Sequence, residues 1–280
     1  MRWSKATRGG LIYAGMVPFL VFLLFPFFWM LITSLKSNRE LYDLNQVPVF
    51  IRQGATLAHY TLLIRDTRFG TWFANSLVVG LCTTTISTAV SILAAYAIVR
   101  LRFRGSHLVG LGIFVTYLVP PTLLFLPLSR VVSVLGLGDS IWALIVTYPT
   151  FLVPFCTWLL MGYFRTIPKE MEECAMVDGA TRLQALARII LPMAIPGVLT
   201  AVLFSFTLSW GHFIYALAFV SSATQKVLTV GIATELIRGD VFYWGSLMAG
   251  ALLGSVPIVV VYSCFTDRFV AGLTAGATKY

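Results

Sequence analysis

Long apolar runs that carry no Lys, Arg, Asp or Glu are the feature that most constrains this chain. We find six of them, each near or above the roughly 20 residues that a helix needs to cross a bilayer, at 10–35, 72–99, 106–129, 140–164, 192–219 and 242–266. Only 11% of the 280 residues are charged, against roughly 25% in soluble domains. Because lipid offers the backbone no partners, each run must satisfy its own hydrogen bonds as a helix. The sequence therefore predicts an all-α, polytopic membrane protein with about six transmembrane helices in a single domain over 1–280.

The basic residues predict how the chain is oriented in the membrane. The formal net charge is +9, and Lys and Arg concentrate on the side that holds the RLRFR stretch at 100–104. Cytoplasmic segments retain such an excess, so we expect both termini and the 165–191 segment in the cytoplasm. Because retention of Lys and Arg on the cytoplasmic side accounts for the positive net charge, we expect membrane lipid as a partner and no nucleic acid. The first run is about 25 residues long, too long for a cleaved signal, and we expect it to be retained as a span.

The 165–191 segment, called the charged segment below, resembles a piece of a soluble protein. Pro168 suits a first helical turn, and the acids that follow suit the positive end of a helix. Gly179 can end that helix in a left-handed conformation. Thr181 and Gln184 then form a capping-box pattern for a second helix. The prediction is a helix-turn-helix, and two interpretations stay open: an ordinary loop on the membrane surface, or a structure that docks on a soluble partner.

A spaced motif in the charged segment resembles a known family. The residues in register are Glu173, Cys174, Ala175, Gly179, Ile189, Leu191 and Pro192. The pattern resembles the cytoplasmic EAA loop of ABC importer permeases, EAA-x3-G-x9-I-x-L-P. Cys174 replaces the first Ala, one small side chain for another. Because the spacing is kept over about 20 positions, the resemblance is specific.

Two further stretches narrow the resemblance to the smaller permease subunit of the maltose-type carbohydrate family. The chain ends in FVAGLTAGATKY, and its fifth run contains SWGHFIYAL. In that family the second stretch usually reads Trp-Asn-acid-Phe, so Gly211 and His212 are departures. Tyr280 also departs from the usual small last residue. The resemblance covers essentially the whole chain.

The resemblance implies an assembly and a set of coupling residues. Its members work with a second permease subunit, two copies of a cytoplasmic ABC ATPase and an extracytoplasmic solute-binding protein, in a bacterial or archaeal plasma membrane. It implies contact with the ATPase through Glu173, Ala175, Asp178, Gly179, Ala180, Leu191 and Pro192. The cytoplasmic tail, 267–280, is expected to reach the same ATPase through Gly272, Thr274, Gly276 and Lys279. ATP-Mg would bind to the ATPase, so no cofactor and no metal site is expected in this chain.

The implied cargo is a sugar, either a di- or oligosaccharide or a related polyol, moved by alternating access. Candidates for the translocation path are Trp210, His212, Phe213 and Tyr215 in the fifth run. His212 is the one ionisable side chain in the middle of that run, and it could contact a hydroxyl-rich substrate. The alternative is a neutral His packed inside the bundle. A role for the neighbouring aromatic rings in stacking on a sugar is equally open.

Other functional classes fit the sequence less well. The chain has no G-x-x-x-x-G-K-[ST] phosphate loop, so ATP binding is not expected. The apolar runs hold no carboxylate, Lys or Arg, groups that ion-coupled carriers usually need. The alternative function is a secondary transporter or a facilitator for a small polar solute; the missing charges count against the secondary transporter but not against a facilitator, which needs no coupling ion. The runs also lack Gly-x-Ser-Gly and paired Asp residues, so an intramembrane protease is not indicated, and the chain is predicted not to be an enzyme.

Overall fold

Helices form nearly all of the regular structure. The computed structural model describes residues 5–43, 45, 49–101, 103–238 and 241–277, with side chains described between 12 and 265 in these ranges except that of Arg238. The helices are α1 (Lys5–Leu35), α2 (Asn38–Leu41), α3 (Ala58–Arg65), α4 (Phe69–Tyr96), α5 (Ser106–Tyr117), α6 (Pro121–Val134), α7 (Ile141–Thr147), α8 (Pro149–Thr166), α9 (Glu170–Val177), α10 (Arg182–Ala185), α11 (Leu191–Met193), α12 (Ile195–Trp210), α13 (Ile214–Phe219), α14 (Leu228–Leu236) and α15 (Trp244–Ala277). Two π-helical turns, π1 (Ala97–Leu101) and π2 (Leu186–Ile190), continue α4 and α10. A short antiparallel ladder joins β1 (Ile237–Arg238) to β2 (Val241–Phe242).

Four stretches of the described chain are long and apolar enough to cross a membrane, and two bent pairs of helices pass the same test together. The stretches are Ile12–Leu35, Phe69–Leu101, Ile141–Thr166 and Trp244–Phe265. The pairs are Ser106–Tyr117 with Pro121–Val134, bent by 99°, and Arg182–Met193 with Ile195–Trp210, bent by 82°. If each pair forms one crossing, the number is six. Many large apolar side chains stay exposed along α1, as expected for a surface that faces lipid. The fold is all-α, as predicted.

Two predicted runs differ from the structure. The run at 106–129 is not one helix, because α5 ends at Tyr117 and α6 begins at Pro121. Pro121 has no backbone N–H and disfavours helical geometry at the residue before it, which explains the break. The run at 192–219 is also interrupted, between Trp210 and Ile214. The bend at its start, after Met193, lies near Pro196 and Gly197, where the sequence favours a kink.

One compact unit comprises Gly70–Gly231 and Pro257–Tyr280, and it contains two buried apolar clusters. The first joins α7 and α8 to α13 and includes Leu144, Tyr148, Leu152, Tyr215 and Phe219. The second joins the end of α4 and the end of α8 to the charged segment and includes Tyr96, Leu160, Phe164, Leu186 and Ile190. The second cluster fixes the charged segment to two membrane helices.

The other unit comprises Met1–Phe69 and Ile232–Val256. His59 is buried there, with Nε2 2.9 Å from the Lys36 carbonyl and Nδ1 3.2 Å from the Ser246 hydroxyl. A carbonyl only accepts, so Nε2 carries the proton. Burial lowers the pKa of His59, and the ring is held neutral. Gly245 is required here, since a Cβ at that position would lie 2.1 Å from Nε2.

Candidate functional site

The charged segment forms the predicted helix, turn and second helix, but Pro168 precedes the first helical turn, because α9 begins at Glu170 with Lys169 as its N-cap. Gly179 has φ +89°, in the left-handed region that favours glycine. The amide of Ala180 donates to the Ala175 carbonyl (3.0 Å) and that of Gly179 to the Met176 carbonyl (3.1 Å). This pair of bonds is the Schellman motif, which satisfies the last carbonyls of α9. The helix-turn-helix prediction is confirmed at its first helix end.

The second helix begins with the predicted capping box. The Gln184 amide donates to the Thr181 hydroxyl (3.3 Å), and the Thr181 amide donates to the Gln184 side chain (2.8 Å). Two orphan amides at the start of α10 are thus satisfied. Both ends of the turn are defined by local hydrogen bonds, so its geometry does not depend on a partner.

The outer surface of the charged segment mixes acids with exposed apolar side chains. Glu173, Asp178 and Gly179 are exposed, as is Pro192, whereas the predicted residues Ala175, Ala180 and Leu191 are half-buried. Val177 is 88% exposed and Leu183 68% exposed. Exposed apolar side chains on this segment suit contact with a partner protein or with the membrane surface. Of the predicted coupling residues, those on the turn and Glu173 are available for such a contact.

Glu172, which the sequence analysis did not select, fixes α9 in place from the buried side of that helix. Its side chain is buried, and its Oε1 accepts a hydrogen bond from the Tyr96 hydroxyl at 2.5 Å. Its Oε2 lies 3.6 Å from Nε of Arg100, whose side chain is 3% exposed. The Tyr96 hydroxyl also lies 3.3 Å from the Arg182 carbonyl. A buried carboxylate is tolerated only when it is paired in this way.

Arg100 connects Glu172 to a third helix, α8. Its Nη2 donates to the carbonyls of Phe164 (3.0 Å) and Ile167 (2.8 Å), at the end of α8. Arg100 lies in π1, and π-helical turns are frequent at functional sites. We call Tyr96, Arg100 and Glu172 the anchor cluster. It connects α9 to the ends of α4 and α8 through direct side-chain contacts.

The predicted path residues are divided between two places. His212 lies in the break between α12 and α13, where it stacks on Phe151 (ring centroids 4.7 Å apart, 20° between planes) and lies 4.6 Å from the Tyr215 ring. The Tyr215 hydroxyl donates to the Pro121 carbonyl at 2.8 Å. Trp210 is buried elsewhere, against Phe206 and Phe73, and Phe213 is 38% exposed. His212 and Tyr215 therefore share an aromatic cluster that does not include Trp210.

A cavity lies beside this aromatic cluster, at the bend between α5 and α6. It has a volume of about 420 Å³, and Phe151 lines it together with Tyr117, Pro121 and Phe155. Thr116 and Thr150 contribute hydroxyl groups to the same wall. The Nδ1 atom of His212 is buried and has no hydrogen-bond partner among the described residues. The broken helices thus create an aromatic space with a few polar groups, as ligand sites commonly have.

Comparison with known proteins defines the family. Residues 87–274 match the family described as binding-protein-dependent transport system inner membrane component. The chain belongs to this family. It is 37% identical, over the full length of both chains, to the inner membrane ABC transporter permease protein YcjP of Escherichia coli. It is 36% identical to the sulfoquinovosyl glycerol transport system permease protein SmoH of Agrobacterium fabrum, over 91% of this chain and 89% of that protein.

A solved structure shares the fold of this permease. It is described as a bacterial ABC transporter involved in the import of the acidic polysaccharide alginate, with a TM-score of 0.80, 20% identity, and coverage of 96% of this chain and 99% of that one. The resemblance to an ABC permease is confirmed. Because the family consists of transport components of the inner membrane, the prediction that the chain is not an enzyme is confirmed too, and the facilitator alternative is set aside.

The tail of the permease stays a prediction. The backbone of α15 extends through Gly272, Thr274 and Gly276, but their side chains are outside those described, and Lys279 lies outside the described residues altogether. The described part of the chain holds no group of three or more His, Cys, Asp or Glu side chains that could bind a metal.

Proposed function

We propose that this permease imports a sugar, as one of two permease subunits that work with two copies of a cytoplasmic ABC ATPase and an extracytoplasmic solute-binding protein. Both termini lie in the cytoplasm in this proposal, and ATP-Mg binds only to the ATPase. The observation that carries the proposal is the exposed turn around Gly179, held by the buried anchor cluster. An exposed docking surface that is fixed to two membrane helices is what an external energy source requires.

The coupling step follows from the contacts of the charged segment. The ATPase contacts Glu173 and the apolar side chains of Val177 and Leu183, all exposed. When ATP closes the ATPase, α9 moves, and the anchor cluster transmits that movement to α4 and α8. The result is a rigid-body change between inward-open and outward-open states. The tail from Gly272 to Lys279 adds a second contact to the same ATPase.

A sugar is the substrate that the relatives favour. Curated relatives are named for the transport of sulfoquinovosyl glycerol, of trehalose or maltose, and of diacetylchitobiose. The cavity of about 420 Å³ beside Phe151 offers aromatic faces for a sugar ring. His212 does not line this cavity, but it stacks on Phe151, which does. Its Nδ1 atom lacks a partner among the described residues and offers a hydrogen bond to a hydroxyl group that enters beside Phe151.

Gentle purification from the native membrane, followed by mass spectrometry, tests the proposed assembly. We expect an ABC ATPase and a second permease of about six spans to accompany the chain in stoichiometric amounts. A charge-reversal variant, Glu173→Lys, serves as the matched comparison and should lose the ATPase but keep the second permease. Recovery of the chain alone, or as a homodimer without a nucleotide-binding partner, would contradict the proposal.

A further inference from the structure

A second cavity lies at the ends of three helices, apart from the aromatic cluster. Its volume is about 690 Å³. It is lined by π1 and by facing stretches of α5 and α8, where Gly110 allows close packing: a Cβ at Gly110 would lie 3.0 Å from Cε of Met161. None of the functions argued above uses this space, which we call the α5–α8 groove.

The lining of the groove changes from basic to aromatic along both helices. On α8 the lining residues are Trp158, Met161 and Arg165, and on α5 they include Phe114, Leu111 and His107. Spacings of three, four and seven residues place each set on one helix face. At 1.5 Å per residue, seven residues separate the basic end from the aromatic end by about 10 Å. The groove is therefore amphipathic along its length.

The basic end carries uncompensated positive charge. Arg165 is exposed and Lys169 is half-buried, and neither has an ion-pair partner in the described chain. The exposed His107 adds a polar ring to the same end. The lining contains no Asp or Glu. Arg100 also lines the groove, but its charge is paired with Glu172. His107 lies in the first turn of α5, where the helix dipole adds to the attraction for an anion.

The aromatic end suits an acyl chain. The Trp158 and Phe114 rings lie 4.5 Å apart, between centroids, with 38° between their planes. Trp158 is 43% exposed and Leu111 51% exposed. α8 belongs to a candidate span, and α5 belongs to a bent pair that counts as a span if both helices form one crossing. Apolar surface at that depth meets hydrocarbon, and the basic residues lie about two turns nearer the water.

We propose that the α5–α8 groove binds an anionic phospholipid. Its phosphate lies between Arg165, Lys169 and His107, and one acyl chain follows Met161 and Leu111 to Trp158. Basic pockets between transmembrane helices on the cytoplasmic side bind anionic head groups. A free phosphate ion would use only the basic end, whereas a lipid uses both ends of the groove. The proposal rests on the cytoplasmic orientation proposed above, but not on the identity of the imported substrate.

Quenching by brominated lipid tests the proposal on the complete purified transporter. The complex is placed in phosphatidylcholine nanodiscs that contain a rising fraction of phosphatidylglycerol brominated on its acyl chains. The chain has 7 tryptophans, so the signal of interest is the quenching that disappears in Trp158→Phe. We expect it to saturate at a low fraction of brominated phosphatidylglycerol and to remain weak with brominated phosphatidylcholine.

Charge variants identify the head-group site. The double variant Arg165→Gln/Lys169→Gln should raise the half-saturating fraction about 25-fold, since each of the two cations near an anionic head group contributes a factor of roughly five. Arg188→Gln is the control, because Arg188 is exposed in the charged segment and does not line the groove. Equal quenching by both brominated lipids, an unchanged double variant, or full displacement by millimolar inorganic phosphate would overturn the proposal. So would crosslinking of position 158 to a second protein in place of lipid.

Discussion

At the scale of single residues, substitutions of Gly179 test the effect of backbone conformation separately from the effect of packing. Its φ of +89° is costly for other residues, yet a Cβ at this position would meet nothing within 4 Å. Gly179→Val should therefore leave the protein in the membrane but abolish uptake, because a β-branched residue cannot keep the turn. Gly179→Ala should lose part of the uptake, since the left-handed conformation costs about 1 kcal/mol or more. The measurement is substrate uptake normalised to the amount of protein in the membrane.

Two comparison variants show whether uptake is lost because the turn changes its conformation or because the added side chain keeps the ATPase away. Gly179→Asn tolerates the left-handed region and should retain most uptake, whereas Gly162→Ala adds a Cβ in equally open space within a regular helix and should have no effect. If Asn is as harmful as Val, the residue serves the close approach of the ATPase. Normal uptake by Gly179→Val would refute docking through this turn.

Substitutions of the two adjacent glutamates in α9 are expected to affect different properties, stability for Glu172 and transport for Glu173. Glu172 is buried in the anchor cluster and Glu173 is exposed. Glu172→Ala leaves Arg100 without its buried partner and should reduce the free energy of unfolding by about 3 kcal/mol. Glu173→Ala should change it by less than about 0.5 kcal/mol, yet it should reduce uptake and ATP hydrolysis by the complex. Thermal unfolding in detergent and transport assays measure the two effects.

A double-mutant cycle provides the control for the anchor cluster. The loss in Glu172→Ala/Arg100→Ala should be smaller than the sum of the single losses, because the two side chains interact directly. If the losses of unfolding free energy are additive, the interaction between Glu172 and Arg100 does not contribute to stability.

His212 is the residue at which packing and substrate contact can be distinguished. His212→Ala should raise KM for uptake by roughly fivefold, the effect of about one lost hydrogen bond. His212→Gln keeps a hydrogen-bonding side chain and should lie between wild type and Ala. Leu217→Ala, a change at a 50% exposed position on α13, is the control. Unchanged kinetics in His212→Ala with reduced stability would assign His212 to packing alone.

At the scale of elements, the start of α7 is tied to the chain after α13 by one carboxylate. Asp139 has φ +56°, and it accepts the amides of Ser221 (2.9 Å) and Ser222 (2.7 Å) and the Ser222 hydroxyl. The hydroxyl bond, together with the two amide bonds, lowers the pKa of the Asp139 carboxyl to about 2. The carboxylate form therefore stabilises the connection between these two elements.

The pH dependence of stability checks this connection. An unfolded Asp has a pKa near 3.9, so the stabilisation is present above about pH 4 and is lost as pH falls toward 2. Asp139→Asn keeps the left-handed backbone but cannot titrate. The difference in thermal midpoint between wild type and Asp139→Asn should be largest at pH 5–7 and shrink toward pH 3. A difference that stays constant over this range would contradict the assigned role.

Elements whose signals are local in sequence were predictable, and those that depend on distant contacts were not. The Schellman turn at Gly179 and the capping box at Thr181 need only neighbouring residues. Glu172 gives no local sign of burial, because its partners Tyr96 and Arg100 lie more than 70 positions away. The sequence analysis used Arg100 only for orientation. The break at Pro120–Pro121 was visible in the sequence, but length and hydropathy favoured one continuous helix.

At the scale of the whole molecule, α8 connects the anchor cluster to the aromatic cluster around His212. It has 18 residues and is therefore about 27 Å long. Phe151, in its first turn, carries the stacked ring of His212. The carbonyl of Phe164, in its last turn, accepts a hydrogen bond from Arg100 of the anchor cluster. A movement that begins at the charged segment can thus reach the aromatic cluster through one continuous helix.

The native cysteines allow the orientation and the docking to be tested in one assay. Cys174 is exposed on α9, and the other exposed cysteine, Cys264, lies within a candidate span. A membrane-impermeant maleimide should label Cys174 in inside-out vesicles stripped of the ATPase but not in intact cells. Readdition of the ATPase should protect Cys174, because the partner covers α9. Cys174→Ser must abolish the signal. Labelling of Cys174 from outside the cell would place the charged segment on the wrong side of the membrane and exclude coupling through α9, whereas cytoplasmic labelling that the ATPase does not block would exclude only the docking face.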